Sequence, residues 1–298
     1  MPSDEDALNS LGIQCSTEDR QGLGRGRARL PIGSGPRELQ AMRGRWIAGV
    51  TLIACGALCL LSTARAGLAT DEAADYETRI EFGYLSEDAK ALRALERSLS
   101  ALATDDGGDR LLHYLAAHTS YRLAQVLDAT HKPGAGGAAK SCVESLADLT
   151  RRDSTDVEAF AQKAACHGLL AGISVIKAVT HGPQAADTAA VALRLAPKNP
   201  RAHLAAALAD YWRPGRLGGD RKRAFRGFKT AMALFEALPA GVSEFPSWGS
   251  ADAYFWLGRC YVEQGDVAAA RSALEKALIV APDFVAARRQ LARLSARG

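Results

Sequence analysis

A chain of 298 residues with 37 Lys and Arg against 33 Asp and Glu carries a net charge of only +4. That length allows one or two domains, and so near-even a charge balance excludes the basic footprint of a nucleic-acid binder. Hydrophobic residues make up 48% of the chain, yet runs of alternating β-branched residues are missing, which predicts an all-α protein with almost no sheet.

Residues 1–41 are polar, with Gly22, Gly24 and Gly26 interleaved with Arg25, Arg27 and Arg29. They read as a disordered extension or as a segment ahead of the true start, because Met42 would open an ordinary export signal. Arg43 and Arg45 form a positive front, Ile47 to Leu61 an apolar run, and Ala64-Arg65-Ala66 an A-x-A cleavage site. The apolar run has 15 residues, short of the roughly 20 that a spanning helix needs. The expectation is a signal peptide over 42–66, cleaved after Ala66, and a periplasmic or secreted protein with no stable membrane span afterwards. Two alternatives stay open. One is an uncleaved anchor through residues 46–61; the other is lipidation at Cys55, since Leu52-Ile53-Ala54-Cys55 has the form of a bacterial lipobox. The seven mostly apolar residues after Cys55 argue against the second. Removing the leader leaves 29 basic and 27 acidic residues, so Arg288, Arg289, Arg293 and Arg297 read as a solvated helix face.

Gly67 to Glu81 reads as a short lead-in, and Ser86-Glu87-Asp88 as the capped start of a helix running to about Ala103. After a turn at Asp105–Gly108, helices are expected over Asp109–Leu127 and Ala138–Arg151, with a Gly-rich loop from His131 to Gly137. A further helix is expected from Thr155 to about Val179, then Pro183–Leu195, Ala202–Trp212 and Asp220–Leu238. Pro239 to Ser250 reads as a longer connection.

Residues Ala251 to Phe284 carry the strongest pattern. Tyr254, Leu257, Gly258 and Tyr261 recur at three- and four-residue steps, and Ala270, Leu274 and Ala277 answer them beyond Gln264-Gly265-Asp266. Small residues stand where two helices must come close, and Pro282 ends the unit. This stretch resembles the tetratricopeptide repeat, with Tyr in place of its Trp and Leu in place of its Phe. The resemblance implies an antiparallel helix-pair solenoid over 67–298, a right-handed superhelix with a closing helix at 285–297. Earlier unit ends fall near Asp153, Pro197 and Pro239, spaced about as HEAT and armadillo repeats are, which keeps those as the structural alternative. Leu195-Ala196-Pro197-Lys198-Asn199-Pro200-Arg201, Pro214…Gly218-Gly219 before Ala224 and Phe228, and Pro246-Ser247-Trp248-Gly249 also resemble exported bacterial tetratricopeptide proteins. Leu217 departs from that group, where an aromatic is commoner. The likeness bears on fold and localisation, not on chemistry.

No catalytic constellation is found. Gly134-Ala135-Gly136-Gly137-Ala138-Ala139-Lys140-Ser141 falls short of a P-loop, because Ala139 replaces its second glycine and a helix, not a strand, leads in. The six histidines are scattered without metal-ligand spacing, Cys-x2-Cys is absent, and so is Gly-x-Ser-x-Gly. The expectation is a non-catalytic protein with no cofactor and no metal. Cys142 and Cys166 lie about equally far from the turn at Asp153-Ser154, so antiparallel helices would bring them to one height. In an oxidising compartment they are candidates for a disulfide, while Cys260 reads as a packed residue.

By the same resemblance, the first helix of each pair lines a concave groove. The partner-binding candidates are Tyr114, His118, Tyr121 and Arg122; Arg201, Leu204, Leu208, Tyr211 and Trp212; and Asp252, Phe255, Arg259 and Glu263. Aromatics and Arg are the residue types that dominate interface energies. For Trp212, packing on the Arg213–Gly219 loop is an equal alternative. The expected partner is a protein or peptide in the cell envelope. The alternatives are a small ligand, in the manner of tetratricopeptide lipoproteins that accompany solute transporters, and, less favoured, an enzyme of unknown type.

Overall fold

Every polar backbone group of the expected core must find a partner within its own helix, and the caps decide where each helix begins. In the computed structural model, residues 68–105, 109–239 and 245–296 are described. The leader, its cleavage site, Cys55 and the centre of the turn after Asp105 lie outside these residues, as does part of the connection before Ser250. Eleven α-helices and one 3-10 turn, with no strand, make up the described part. They are α1 (Thr70–Leu85), α2 (Ala89–Asp105), α3 (Arg110–Ala129), α4 (Ala135–Arg152), α5 (Val157–Ile173) and α6 (Val175–Leu195). The 3-10 turn Gly215–Leu217 separates α7 (Pro200–Trp212) from α8 (Arg221–Glu236), and α9 (Ser250–Gln264), α10 (Val267–Val280) and α11 (Val285–Ser295) follow.

Side-chain caps explain most starts. Asp109 accepts from the Leu111 and Leu112 amides, Asp156 from Ala159, Asp220 from Lys222 and Arg223, and Asp266 from Ala269. Asn199 caps α7 with Pro200 in its first turn. Gly265 ends α9 with a φ of 78°, the left-handed region that glycine enters without strain.

Neighbouring helices pack in antiparallel pairs, α3 with α4, α5 with α6, α7 with α8 and α9 with α10, and α1, α3, α5 and α7 also pack in sequence along one side. This is an all-α helical-repeat solenoid, stacked because one amphipathic pair cannot cover its own apolar face. Glycine allows a close approach within the last full pair: a Cβ on Gly258 would stand 2.8 Å from Leu274 Cγ across α9 and α10. Cys142 on α4 and Cys166 on α5 are joined as a disulfide with their Cα atoms 6.2 Å apart, within the usual span. Among the described residues, no helix is long and apolar enough to cross a membrane.

Three sequence expectations are corrected. The lead-in is helical as α1, with Ala73, Glu77, Ile80 and Tyr84 buried at three- and four-residue steps. Ser86 closes that helix, and Asp88, not Ser86, caps α2 by accepting from the Lys90 and Ala91 amides. The expected helix from Thr155 to Val179 breaks at Ser174, whose extended backbone and side-chain contact with the Lys177 amide start α6; Pro183 lies inside α6.

Candidate functional site

Arg122 on α3 is the most heavily engaged side chain of the concave side, and none of it reaches solvent. Its guanidinium donates from Nε and Nη2 to the two oxygens of Glu81 on α1, at 2.7 and 2.8 Å. It also donates from Nη2 and Nη1 to Asp252 on α9, at 2.8 and 3.1 Å. The Tyr84 hydroxyl donates to Asp252 at 2.7 Å while its ring lies under the Arg122 guanidinium, 3.9 Å from carbon to centroid. His118 Nε2 faces Glu81 at 2.8 Å, and its Nδ1 faces Gln162 of α5 at 2.9 Å. Burial pushes the Glu81 carboxyl up, but the adjoining Arg122 and His118 outweigh it and hold it at about 2. Burial carries Tyr84 well above the ordinary phenol range.

Around this cluster the N-terminal helices are tied at further points to the segments that flank the C-terminal repeat. Glu77 of α1 accepts from the Ser247 amide and hydroxyl. Trp248 Nε1 donates to the Tyr114 hydroxyl at 2.9 Å, its ring stacked near His118. Arg289 of α11 grips Glu87 with two bonds, 2.9 and 2.6 Å. Arg201 of α7 is held by Glu158 of the neighbouring α5 at 2.7 and 3.1 Å and donates to the Trp248 carbonyl at 3.4 Å. The solenoid therefore closes on itself across its concave side.

That closure corrects the expectation of an open groove. Tyr114, His118, Tyr121, Arg122, Arg201, Leu204, Leu208, Tyr211 and Asp252 are all buried within the fold. The cause is mutual: His118, Arg122, Arg201, Tyr211 and Asp252 find polar partners on other helices of the same chain, and Tyr114 finds Trp248, so these groups are turned inward. Trp212, Phe255 and Arg259 are half-buried and Glu263 is exposed. Trp212 makes edge contacts with Tyr211 and Trp256, not with the inserted loop alone.

What remains of the concave side is a cavity of about 510 Å³ between α3, α5, α7, α9 and α11. Tyr121, Leu208, Trp212, Phe255, Arg259 and Glu263 from the predicted set line it. Tyr84, Leu169, Trp256 and Phe284 complete the apolar part, and Glu87, Gln125, Asp128, His131, Arg289 and Arg293 the polar part. Burial raises the Asp128 carboxyl, against the pull of nearby His131 and Arg259. Glu81 and Tyr84 are absent from the sequence-derived set because 67–81 reads as a lead-in, although Asp71-Glu72 and Glu87-Asp88 read as helix starts; Glu87 carries no binding role in that reading.

The Gly134–Ser141 segment forms the entry to α4 after helix α3, with a helix on both sides of the loop. Cys260 is buried, and burial pushes its thiol up to about 11, away from nucleophilic use. No group of three or more His, Cys, Asp or Glu among the described residues is placed to hold a metal.

Residues 251–284 match the tetratricopeptide repeat family model, so this stretch is a tetratricopeptide repeat. Among solved structures, the thermophilic tetratricopeptide protein TTC0263 of Thermus thermophilus is 17% identical with a TM-score of 0.49, over 74% of this chain and 98% of that one. The HusA haemophore of Porphyromonas gingivalis is 22% identical with a TM-score of 0.49, over 66% and 96%. YrrB, described as a tetratricopeptide protein with an unusual peptide-binding site, is 16% identical with a TM-score of 0.35, over 68% and 92%. No curated protein sequence matches the chain.

Proposed function

We propose that this chain, which carries a tetratricopeptide repeat, is a non-catalytic exported scaffold of the cell envelope that holds a compact ligand in the cavity left on its concave side. The carrying observation is the closure itself. Arg122 joins Asp252 and Glu81 across the concave side, while a cavity of about 510 Å³ persists beside that bridge. That volume lies within the range of small-molecule sites. Export is supported by the leader pattern at 42–66 and by the Cys142–Cys166 disulfide, a bond that persists in oxidising compartments.

The test is native mass spectrometry of the protein isolated from its own envelope fraction, beside Ala286→Phe. Ala286 is half-buried on α11 and lines the cavity, so a larger side chain there occupies the space without entering the core. A bound mass that disappears in the variant supports the reading. A long helical peptide that binds wild type and variant alike overturns it.

A second reading is favoured by the fold and the lining: a tetratricopeptide scaffold suits protein interaction, and aromatics with Arg dominate protein interfaces. Here a short segment of a partner would enter the cavity. Short peptides whose binding Ala286→Phe abolishes would favour it over the small-ligand form.

A further inference from the structure

We propose that the cavity takes a small organic monocarboxylate with an apolar body, its carboxylate paired with Arg259 and its body packed among Trp212, Phe255 and Trp256. This rests on the cavity being the binding site.

The inference starts from which charges at the cavity are already used. Glu87 is held in two bonds by Arg289, and Glu263 takes the Tyr211 hydroxyl and Arg221. Arg122, behind the cavity wall, is consumed by Glu81 and Asp252, and Arg293, which also lacks an ion pair among the described residues, is exposed on α11. Arg259 makes no hydrogen bond or ion pair among the described residues, yet its guanidinium is fixed in place by aromatic faces. It stands 4.7 Å from the Trp256 centroid, 5.6 Å from Tyr211 and 6.0 Å from Trp212. Such stacking orients the planar fork while leaving its N–H edge unused, and that edge matches a carboxylate in two parallel bonds. Asp128 shares the cavity but lies beyond ion-pair distance of Arg259.

The other ligand classes fit less well. A cation would seek aromatic faces, but Arg122 already occupies that of Tyr84 and Arg259 that of Trp256. A phosphate dianion has no apolar body to cover Trp212, Phe255 and Trp256, and beside Arg259 it would share the cavity with the Asp128 carboxylate. The C–H face of a sugar would pack on Trp212, Phe255 and Trp256, but a neutral sugar brings no charge to Arg259.

The test is isothermal titration of the exported chain with octanoate and 3-phenylpropionate, each beside its amide and with 2-phenylethylammonium as the cation. The carboxylates should bind at least ten times more tightly than the amides. Arg259→Gln should erase that difference while leaving the melting temperature near wild type, and Arg259→Lys should keep part of it. Equal binding of acid and amide, preference for the cation, unchanged binding in Arg259→Gln, or no binding of any probe overturns the carboxylate assignment. Loss of every probe in Ala286→Phe, without acid preference in wild type, would leave the cavity as the site and remove only its chemistry.

Discussion

Arg122 and Asp252 stand 130 positions apart in the sequence and share two hydrogen bonds, at 2.8 and 3.1 Å, with the arginine wholly out of solvent. Ordinary solenoid contacts join a repeat to its neighbour, whereas this pair joins the α3–α4 pair to the last full repeat. A buried guanidinium between two carboxylates stabilises little relative to an apolar replacement of all three. Removing one partner is different, because the remaining charges stay buried without an opposite.

Arg122→Met should therefore cost about 3–5 kcal/mol, since Glu81 and Asp252 would remain in place uncompensated. Urea unfolding followed by circular dichroism measures it. The triple change Glu81→Gln, Arg122→Met, Asp252→Asn should recover part of that loss. A single change costing under about 1 kcal/mol would mean the ends part freely and the closure contributes nothing.

Acid should loosen the protein in two windows. The Glu81 carboxyl is held at about 2, below its ordinary 4.5, so the unfolded chain binds the extra proton. Its stabilisation is present above pH 4.5 and is lost as pH falls toward 2. His167 is driven down to about 4 by burial, then by the neighbouring His181 and Lys163. The unfolded imidazole protonates first, so its contribution fades from about pH 6.5 down to 4. Thermal melts across pH 7 to 3 should flatten in the upper window for His167→Gln and in the lower one for Glu81→Gln. A Glu81→Gln profile parallel to wild type below pH 4.5 would contradict the ion-pair assignment.

The disulfide offers a third measurement. Cys142 and Cys166 are 24 positions apart, and closing a loop of that size restricts the unfolded chain by about 3.5 kcal/mol. The double variant Cys142→Ser, Cys166→Ser should fall in stability by about that amount, and a reducing agent should shift wild type to match it. Equal stability of oxidised and reduced wild type would show that the bond adds nothing.

The repeat at 251–284 was legible because its signals are local. Gly258 and Leu274 follow helical periodicity, Gly265 sits where a left-handed cap is needed, and Asp266 restarts the chain. Ser174 hid its helix break because Ile173 and Val175 continue an apolar pattern on both sides, so only the backbone turn separates α5 from α6. The concave side was legible in composition but not in state. Tyr114, Tyr121, Arg122, Arg201 and Asp252 carry the residue types of a binding surface, and those types also build a buried polar core. Which of the two they form depends on the superhelical path that brings α9 against α1 and α3. No local period records that path. Arg259 and Phe255 face the cavity because they lie one turn and more beyond Asp252, past the point where the two ends meet.

Gly258 tests whether the repeat is packed as tightly as its pattern implies. An alanine there gains about 1 kcal/mol of helix propensity. Its Cβ, however, would stand 2.8 Å from Leu274 Cγ and 3.0 Å from Cδ2, near the branch point of a buried side chain. Overpacking of that kind costs about 1–3 kcal/mol, so the net change in Gly258→Ala should be destabilising. Combined with Leu274→Ala, which removes both Cγ and Cδ2, Gly258→Ala should cost less than it does alone, a favourable coupling in a double-mutant cycle. Gly265→Ala is the contrasting case, with nothing within 4 Å of its Cβ and a φ of 78°. Its loss of about 1 kcal/mol would come from backbone strain alone, and Leu274→Ala should leave that loss unchanged. If Gly258→Ala stabilises the protein, α9 and α10 stand further apart than this packing requires.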